Sequence, residues 1–363
     1  YVKVCDAFGA GFHYIPGTET CLKFSGRVRT EFGVQSTDPD HGTATVNAND
    51  TADTTFFNSN FELVVNASSM TEVGMLVGQF AISGSNEGEV KLGDAWITIG
   101  ENILVGRETS RFDFGAGYGI YDAAYGDEGL NQFTFIMPFG NGFSATLGLE
   151  DARDRTAAII GAQNGAGVVT GNSNASQAGM EIPDVVASLR ISQGWGSAQV
   201  SGALHQLRIV DGTNSEVDTD WGFAVEAGIE LNVGSMTKVK FKAGYADGAL
   251  SYVGGNSGAD MQLNAAGTTI ADTYTGYDVL AAVTHTIGDL ELSLSGQYID
   301  LDDQVEITWV GATASYEVVT NLTVALTGQY TDYDYGTDAT ALSSGTPVDH
   351  NDWAAKLRIQ RSF

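Results

Sequence analysis

The chain has 363 residues, with 46 Gly, 14 Tyr and 17 Phe against 5 Pro, and 43% of its residues are apolar. A helical span needs about 20 mostly apolar residues in a row, and the longest apolar stretches, such as Leu63-Val64-Val65, end after a few residues, so helical spans are excluded and a closed barrel is the spanning structure left. The 17 Lys and Arg against 45 Asp and Glu give a formal charge of -28, which excludes nucleic acid as a partner, because phosphate binding needs a basic face.

In chain order, the first feature is a cysteine pair, Cys5 and Cys21, the only two in the sequence. It reads as a disulfide made in an oxidising compartment, the alternative being two free thiols. No signal peptide opens the chain, which suggests a mature exported product. Residues 1–21 are expected to form a separate N-terminal segment and 22–363 a single barrel domain. Period-two alternation begins at Leu22: Leu22, Phe24, Gly26, Val28, Thr30 and Phe32 share one face, while Lys23, Arg27, Arg29 and Glu31 share the other. Segments 73–84 and 89–100 are apolar on both faces, so either an inserted loop covers the inside or a neighbouring subunit covers the outside. We favour a trimer contact made by the first and last strands.

Alternation returns at 143–150 and 185–192, then at Trp221 to Asn232 and Lys238 to Tyr245, at 277–287, 290–298 and 322–330, and finally at Trp353 to Phe363, where Arg361 interrupts the apolar face. Short connections near 68–72, 100–102, 139–142, 193–197, 232–236, 288–289 and 318–321 alternate with long ones near 35–54, 110–130, 152–181, 210–219, 247–276 and 335–350, the loop series having two shorter members near 85–88 and 300–304. The count is sixteen strands, seven turns and eight loops. Short turns alternating with long loops are the plan of an antiparallel transmembrane β-barrel of a Gram-negative outer membrane. Trp221, Tyr245, Tyr277, Tyr298, Tyr330 and Trp353 fall at the long-loop ends of their strands and Phe24, Phe143 and Phe363 at the other ends. Two such aromatic belts argue against a soluble sandwich, which buries its aromatics mid-strand.

A barrel of this size encloses water, and the charges at its narrowest section decide what passes. Alternation assigns Lys23, Arg27, Arg29, Arg190, Lys238, Lys240, Lys242, Lys356 and Arg358 to the lumen, nine of the seventeen basic residues. Because the chain ends meet in a closed barrel, Lys356 and Arg358 are expected beside Lys23, Arg27 and Arg29 as one basic wall. The third long loop, 110–130, carries Phe112, Phe114, Tyr118, Ile120, Tyr121 and Tyr125 among the acids Asp113, Asp122, Asp127 and Glu128. Exposure would waste those aromatics, so the loop is expected to fold into the barrel and set its acids across the opening from the basic wall; the alternative is an external loop packed on its neighbours.

The remaining loops are acidic, with Asp38, Asp40, Asp50, Asp53, Asp211, Glu216, Asp218, Asp220, Asp300, Asp302, Asp303, Asp332, Asp334 and Asp338. Solvated loops are the plain reading; Ca²⁺ or Mg²⁺ bridging to anionic lipid or lipopolysaccharide headgroups is the sharper one. Gly254 to Asp260 is loosely similar to a calcium nonapeptide, a motif that works only in arrays. His13, His41, His205, His285 and His350 form no zinc-type pair and no triad, so neither an enzyme nor a resident cofactor is expected.

The opening string VCDAxGxGxxYIPGTETCL, Val4 to Leu22, closely resembles that of the rhizobial-type general porins of alphaproteobacteria. Beyond it the strand plan and Phe363 match. The resemblance implies a homotrimer of sixteen-stranded barrels, an infolded third loop, a Cys5–Cys21 disulfide in a periplasmic segment, and passive diffusion of hydrophilic solutes. It also makes Phe363 the terminal aromatic read by the barrel-insertion machinery. Two rivals stand beside general diffusion: a sugar-selective pore with Phe112, Phe114, Tyr118, Tyr121 and Tyr125 as a stacking slide, and a plugged structural or adhesive barrel. The acidic total, tempered by the basic wall, leads us to expect mild cation selectivity.

Overall fold

The computed structural model describes residues 3–36, 54–86, 88–121, 126–160, 176–211, 213, 215–255, 258–264, 266, 268–336 and 349–363. Sixteen strands form one closed antiparallel barrel. They are β1 (Cys21–Gln35), β2 (Thr55–Thr71), β3 (Gly74–Ser85), β4 (Gly88–Ile99), β5 (Ile103–Thr109), β6 (Gly129–Gly140), β7 (Phe143–Glu150) and β8 (Asp184–Gln193). The second half continues with β9 (Gly196–Val210), β10 (Glu216–Val233), β11 (Thr237–Asp247), β12 (Thr275–Ile287), β13 (Leu290–Leu301), β14 (Val305–Val319), β15 (Leu322–Tyr335) and β16 (His350–Ser362). Each strand pairs with its sequence neighbours, and β16 closes on β1 with Phe32 opposite Leu357 and Arg29 opposite Gln360. Closure leaves no strand edge, as a bilayer requires.

Inward and outward sets follow the alternation. On β10, Trp221, Phe223 and Val225 are exposed while the alternate residues Ala224 and Glu226 are buried. The outward aromatics line up across strands, Tyr245 opposite Tyr277 and Tyr330 opposite Trp353, so each belt is a product of register. At the other rim Phe24, Phe143 and Phe363 are exposed, and Phe363 exchanges both backbone hydrogen bonds with Gly26 (3.0 and 3.1 Å). Asn141 and Gly142 take positive φ (52° and 80°), as a two-residue hairpin of matching twist needs. The seven turns fall where the sequence placed them.

Several strands run longer than the ten or so residues of a crossing: β2 has 17 and β10 has 18. Parts of 152–181 and 247–276, expected as plain loops, are also structured. A 3-10 turn (Ala152–Arg155) and a helical turn (Ser251–Gly254) accompany a three-stranded sheet in which Ala259–Leu263 lies antiparallel to Ile270–Thr273 and parallel to Ala158–Ile160. The cause is apolar burial: Ile159, Met261, Leu263 and Ile270 close over Leu207 and Ile209 at the rim. At the opposite rim Cys5 and Cys21 form a disulfide, and the short strand His13–Tyr14 pairs with Leu22 and Cys21.

Candidate functional site

The third external loop, between β5 and β6, enters the barrel and travels along its inner wall from β7 to β16. Ser110 anchors it, its hydroxyl and the Arg111 N–H both donating to Glu150 on β7 (2.7 and 3.0 Å). The Phe112 carbonyl accepts from Gln199 (3.1 Å) and Ser201 (2.5 Å) on β9. The Phe114 N–H donates to Glu226 on β10 (2.7 Å), and Lys240 on β11 donates to the Ala116 carbonyl (2.7 Å). Tyr118 exchanges two hydrogen bonds with Ser295 on β13 (2.7 and 2.8 Å), and the Ile120 N–H donates to Thr313 on β14 (3.1 Å). The Tyr121 ring then lies 4.0 Å from the Lys356 ammonium on β16. Every backbone group named here has exchanged water for a polar side chain of the wall, which is how irregular backbone survives inside a barrel.

Two glycines permit the fit. Gly119 has φ +112°, and a Cβ there would lie 2.8 Å from the Thr313 hydroxyl. On β10, a Cβ on Gly228 would lie 2.3 Å from the Phe114 ring, so that inner-face position is a slot for the aromatic.

Alternation aims the nine bases inward, but they divide into groups with different surroundings. Arg27 pairs with Glu62 (2.6 Å). Lys356 and Arg358 share Glu31 (3.3 and 2.5 Å). Arg29 donates twice to the neutral Gln360 (3.1 and 3.0 Å). These four adjoin across the β1–β16 seam, interleaved with the acids Glu31 and Glu62. Lys23 leaves it: its stem packs on Gly11, and its ammonium lies 5.8 Å from the Phe12 ring. Around the barrel, Lys242 is buried between Glu226 (3.1 Å) and Asp278 (4.0 Å). Lys240 is buried beneath the loop, and the Arg190 guanidinium lies 5.2 Å from the Phe114 ring. Lys238 is the accessible member of that set, 3.8 Å from Glu230.

The loop residues need correction too. Asp113 does not face the basic wall: its side chain is fully buried and pairs with Arg155 (3.3 Å), because a carboxylate inside the loop base needs a cation more than it needs the lumen. Phe112 and Phe114 are buried as well, with Phe112 edge-on to Tyr252 at 4.7 Å, so neither can belong to a stacking slide. Tyr118, whose hydroxyl donates to Glu230 (2.7 Å), and Tyr121 stay partly accessible, as do Asp127 and Glu128. Asp122 and Tyr125 lie outside the described residues.

Sequence reasoning passed over Glu31, Glu62, Glu226 and Glu230 as partners, although the parity that found the bases also points these acids inward. It missed Arg155 altogether, and nothing local marks that residue. Among the described residues no group of three or more His, Cys, Asp or Glu could hold a metal ion. Asp38, Asp40, Asp50, Asp53 and Asp338 lie outside the described residues.

A closed sixteen-stranded wall with a loop drawn across its lumen has the form of a channel, and residues 1–357 match the family model described as the porin subfamily. The chain belongs to that family. This porin is 28% identical over 386 residues to the porin Omp2b of Brucella neotomae, covering 100% of this chain and 90% of that one. Its fold is similar to the outer membrane channel DcaP of Acinetobacter baumannii, with a TM-score of 0.75, 16% identity and coverage of 96% and 99% of the two chains. It is also similar to the trimer form of OmpT, an outer membrane protein of Vibrio cholerae, with a TM-score of 0.59, 12% identity and coverage of 95% and 100%. The porin is thus an outer-membrane channel.

Proposed function

We propose that this porin passes ions and small hydrophilic solutes by passive diffusion, through the space between the third loop and the inner faces of β1 to β4 and β16. The observation that carries the reading is the path of the loop. Among the described residues its bonds run to β7, β9, β10, β11, β13 and β14, and it meets β16 at Tyr121. Arg27 and Arg29 line a cavity of about 360 Å³ on the β1 to β4 side, together with Asn60, Glu62, Ser83 and Lys91. Polar groups from opposite sides of an opening favour solutes that can replace ordered water.

In this reading residues 1–21 are periplasmic, since they join β1 at the short-turn rim. The porin is a homotrimer: Phe57, Phe61, Phe80, Leu92 and Ile97 on β2 to β4 leave an apolar outer face exposed on the single chain, and the OmpT neighbour has a trimer form. Net charge and acidic mouths set a mild cation preference.

Planar-bilayer recording tests this. Stepwise conductance that grows in proportion to salt and is not saturably blocked by sucrose or maltodextrins is expected. Saturable sugar block would replace general diffusion with a selective pore, absence of current would mean a plugged barrel, and a reversal potential of anion sign in a salt gradient would defeat the cation preference.

A further inference from the structure

The third loop is tied to the wall from Ser110 to Tyr121, yet the two legs that carry it into the lumen meet a single side chain from a different loop. Arg155, in the 3-10 turn after β7, has no exposed side-chain surface. Its guanidinium reaches Asp113 on the entering leg (3.3 Å), the Gly126 carbonyl on the returning leg (2.6 Å) and the Ser251 carbonyl in the sixth external loop (3.2 Å). The Glu128 N–H also donates to Asp113 (3.2 Å), closing the two legs on each other. The guanidinium plane lies 4.2 Å from the Tyr252 ring. The Tyr252 hydroxyl donates to Asp184 at the start of β8 (2.7 Å), and Asp184 meets His205 of β9 (2.9 Å). A rigid chain of contacts therefore runs from the barrel wall, through the sixth loop, to both legs of the constriction.

We propose that Arg155 is a latch, a positioning residue that fixes how far the third loop stands from the β1–β16 wall and so sets the size of the pore. The inference rests on the reading of that loop as the constriction. Only a planar, permanently charged fork can serve three acceptors on three segments while stacking on an aromatic ring. Gly126 is the matching half of the device. It sits at φ +87°, and a Cβ there would lie 2.4 Å from the Tyr252 carbonyl oxygen, so its close approach is what brings the returning leg within reach of Arg155. The wall bonds fix where the loop lies along the barrel, and the latch fixes the two points about which it could swing.

The test compares the wild-type porin with Arg155→Gln, Arg155→Lys and Gly126→Ala in planar bilayers, with heat-modifiable gel migration reporting an intact barrel. Arg155→Gln and Gly126→Ala are expected to keep the barrel while the single conductance level breaks into substates and larger polyethylene glycols enter the pore. Arg155→Lys, which keeps the charge but serves fewer acceptors, is expected to fall between them and wild type. Gly126→Ala changes no charge, so it decides the matter if Arg155→Gln does not assemble. One wild-type conductance level with the wild-type polymer cutoff, in folded Arg155→Gln or in folded Gly126→Ala, overturns the latch. Absence of current from the wild-type protein would instead overturn the channel reading beneath it.

Discussion

Lys238, Lys240 and Lys242 on β11 and Arg27 and Arg29 on β1 look alike in sequence, basic residues two apart on an inward face, but the barrel gives them different work. On the β9 to β14 side the loop covers the wall, and bases there become structural: Lys242 sits between two carboxylates and Lys240 ends on a loop carbonyl. On the β16 to β4 side, among the described residues, the loop touches the wall at Tyr121. Among the described residues its ion pairs are made with wall acids, Arg27 with Glu62 and Arg358 with Glu31, and Arg29 makes none. Facing the lumen is therefore not the same as facing the pore, and which wall the loop leans on decides the difference.

The comparison is easiest to break at Lys242. Its side chain and its partners Glu226 and Asp278 are each 1% exposed, so Lys242→Met strands two buried carboxylates. The expected loss is about 3–5 kcal/mol, read as a lower urea or thermal midpoint of the detergent-solubilised barrel, and Glu226→Gln with Asp278→Asn in the same chain should recover most of it. A Lys242→Met barrel as stable as wild type would mean that the covered wall is not held by this cluster. Arg29→Gln should do the reverse, leaving the midpoint nearly unchanged, because the half-buried guanidinium makes no ion pair among the described residues and glutamine keeps a polar side chain beside Gln360. It should instead shift the cation-to-anion permeability ratio toward cations, by at most about fivefold, the equivalent of about 1 kcal/mol for a unit charge at contact distance in water. The shift should shrink as salt rises and screening shortens its reach. An unchanged reversal potential in Arg29→Gln would take Arg29 out of the conduction path.

The asymmetry itself was beyond the sequence. Alternation and turn spacing set out the barrel because both report only a strand and its neighbours, and the aromatics of 110–130 marked a loop that avoids water. The direction in which that loop leans depends on contacts such as Phe114 with Glu226, 112 residues apart, and Tyr118 with Ser295, 177 apart, which no local pattern encodes. Asp113 read as a lumen charge for the same reason. Its partner Arg155 lies 42 residues away in what looked like an ordinary acidic loop. The inward acids Glu31 and Glu62 were within reach of parity alone; weighing them would have made the wall mixed rather than basic.

Tyr121 is where the two walls touch, and its substitution gives the smallest and most discriminating effect. The ring lies over the Lys356 ammonium at 4.0 Å, an attraction of about 0.5–1 kcal/mol at a partly exposed site, and it shields that charge from the gap. Tyr121→Leu keeps an apolar side chain but removes the ring, leaving Lys356 free to turn toward the lumen within reach of Glu31 (3.3 Å). Permeability should move slightly toward anions, opposite in sign to Arg29→Gln, with the conductance raised a little because a smaller side chain stands where the loop meets Lys356. The double variant should return the ratio close to wild type if both charges act on the same gap. A Tyr121→Leu shift of the same sign as Arg29→Gln would place Lys356 outside the conduction path and leave Arg29 to act from its wall without it.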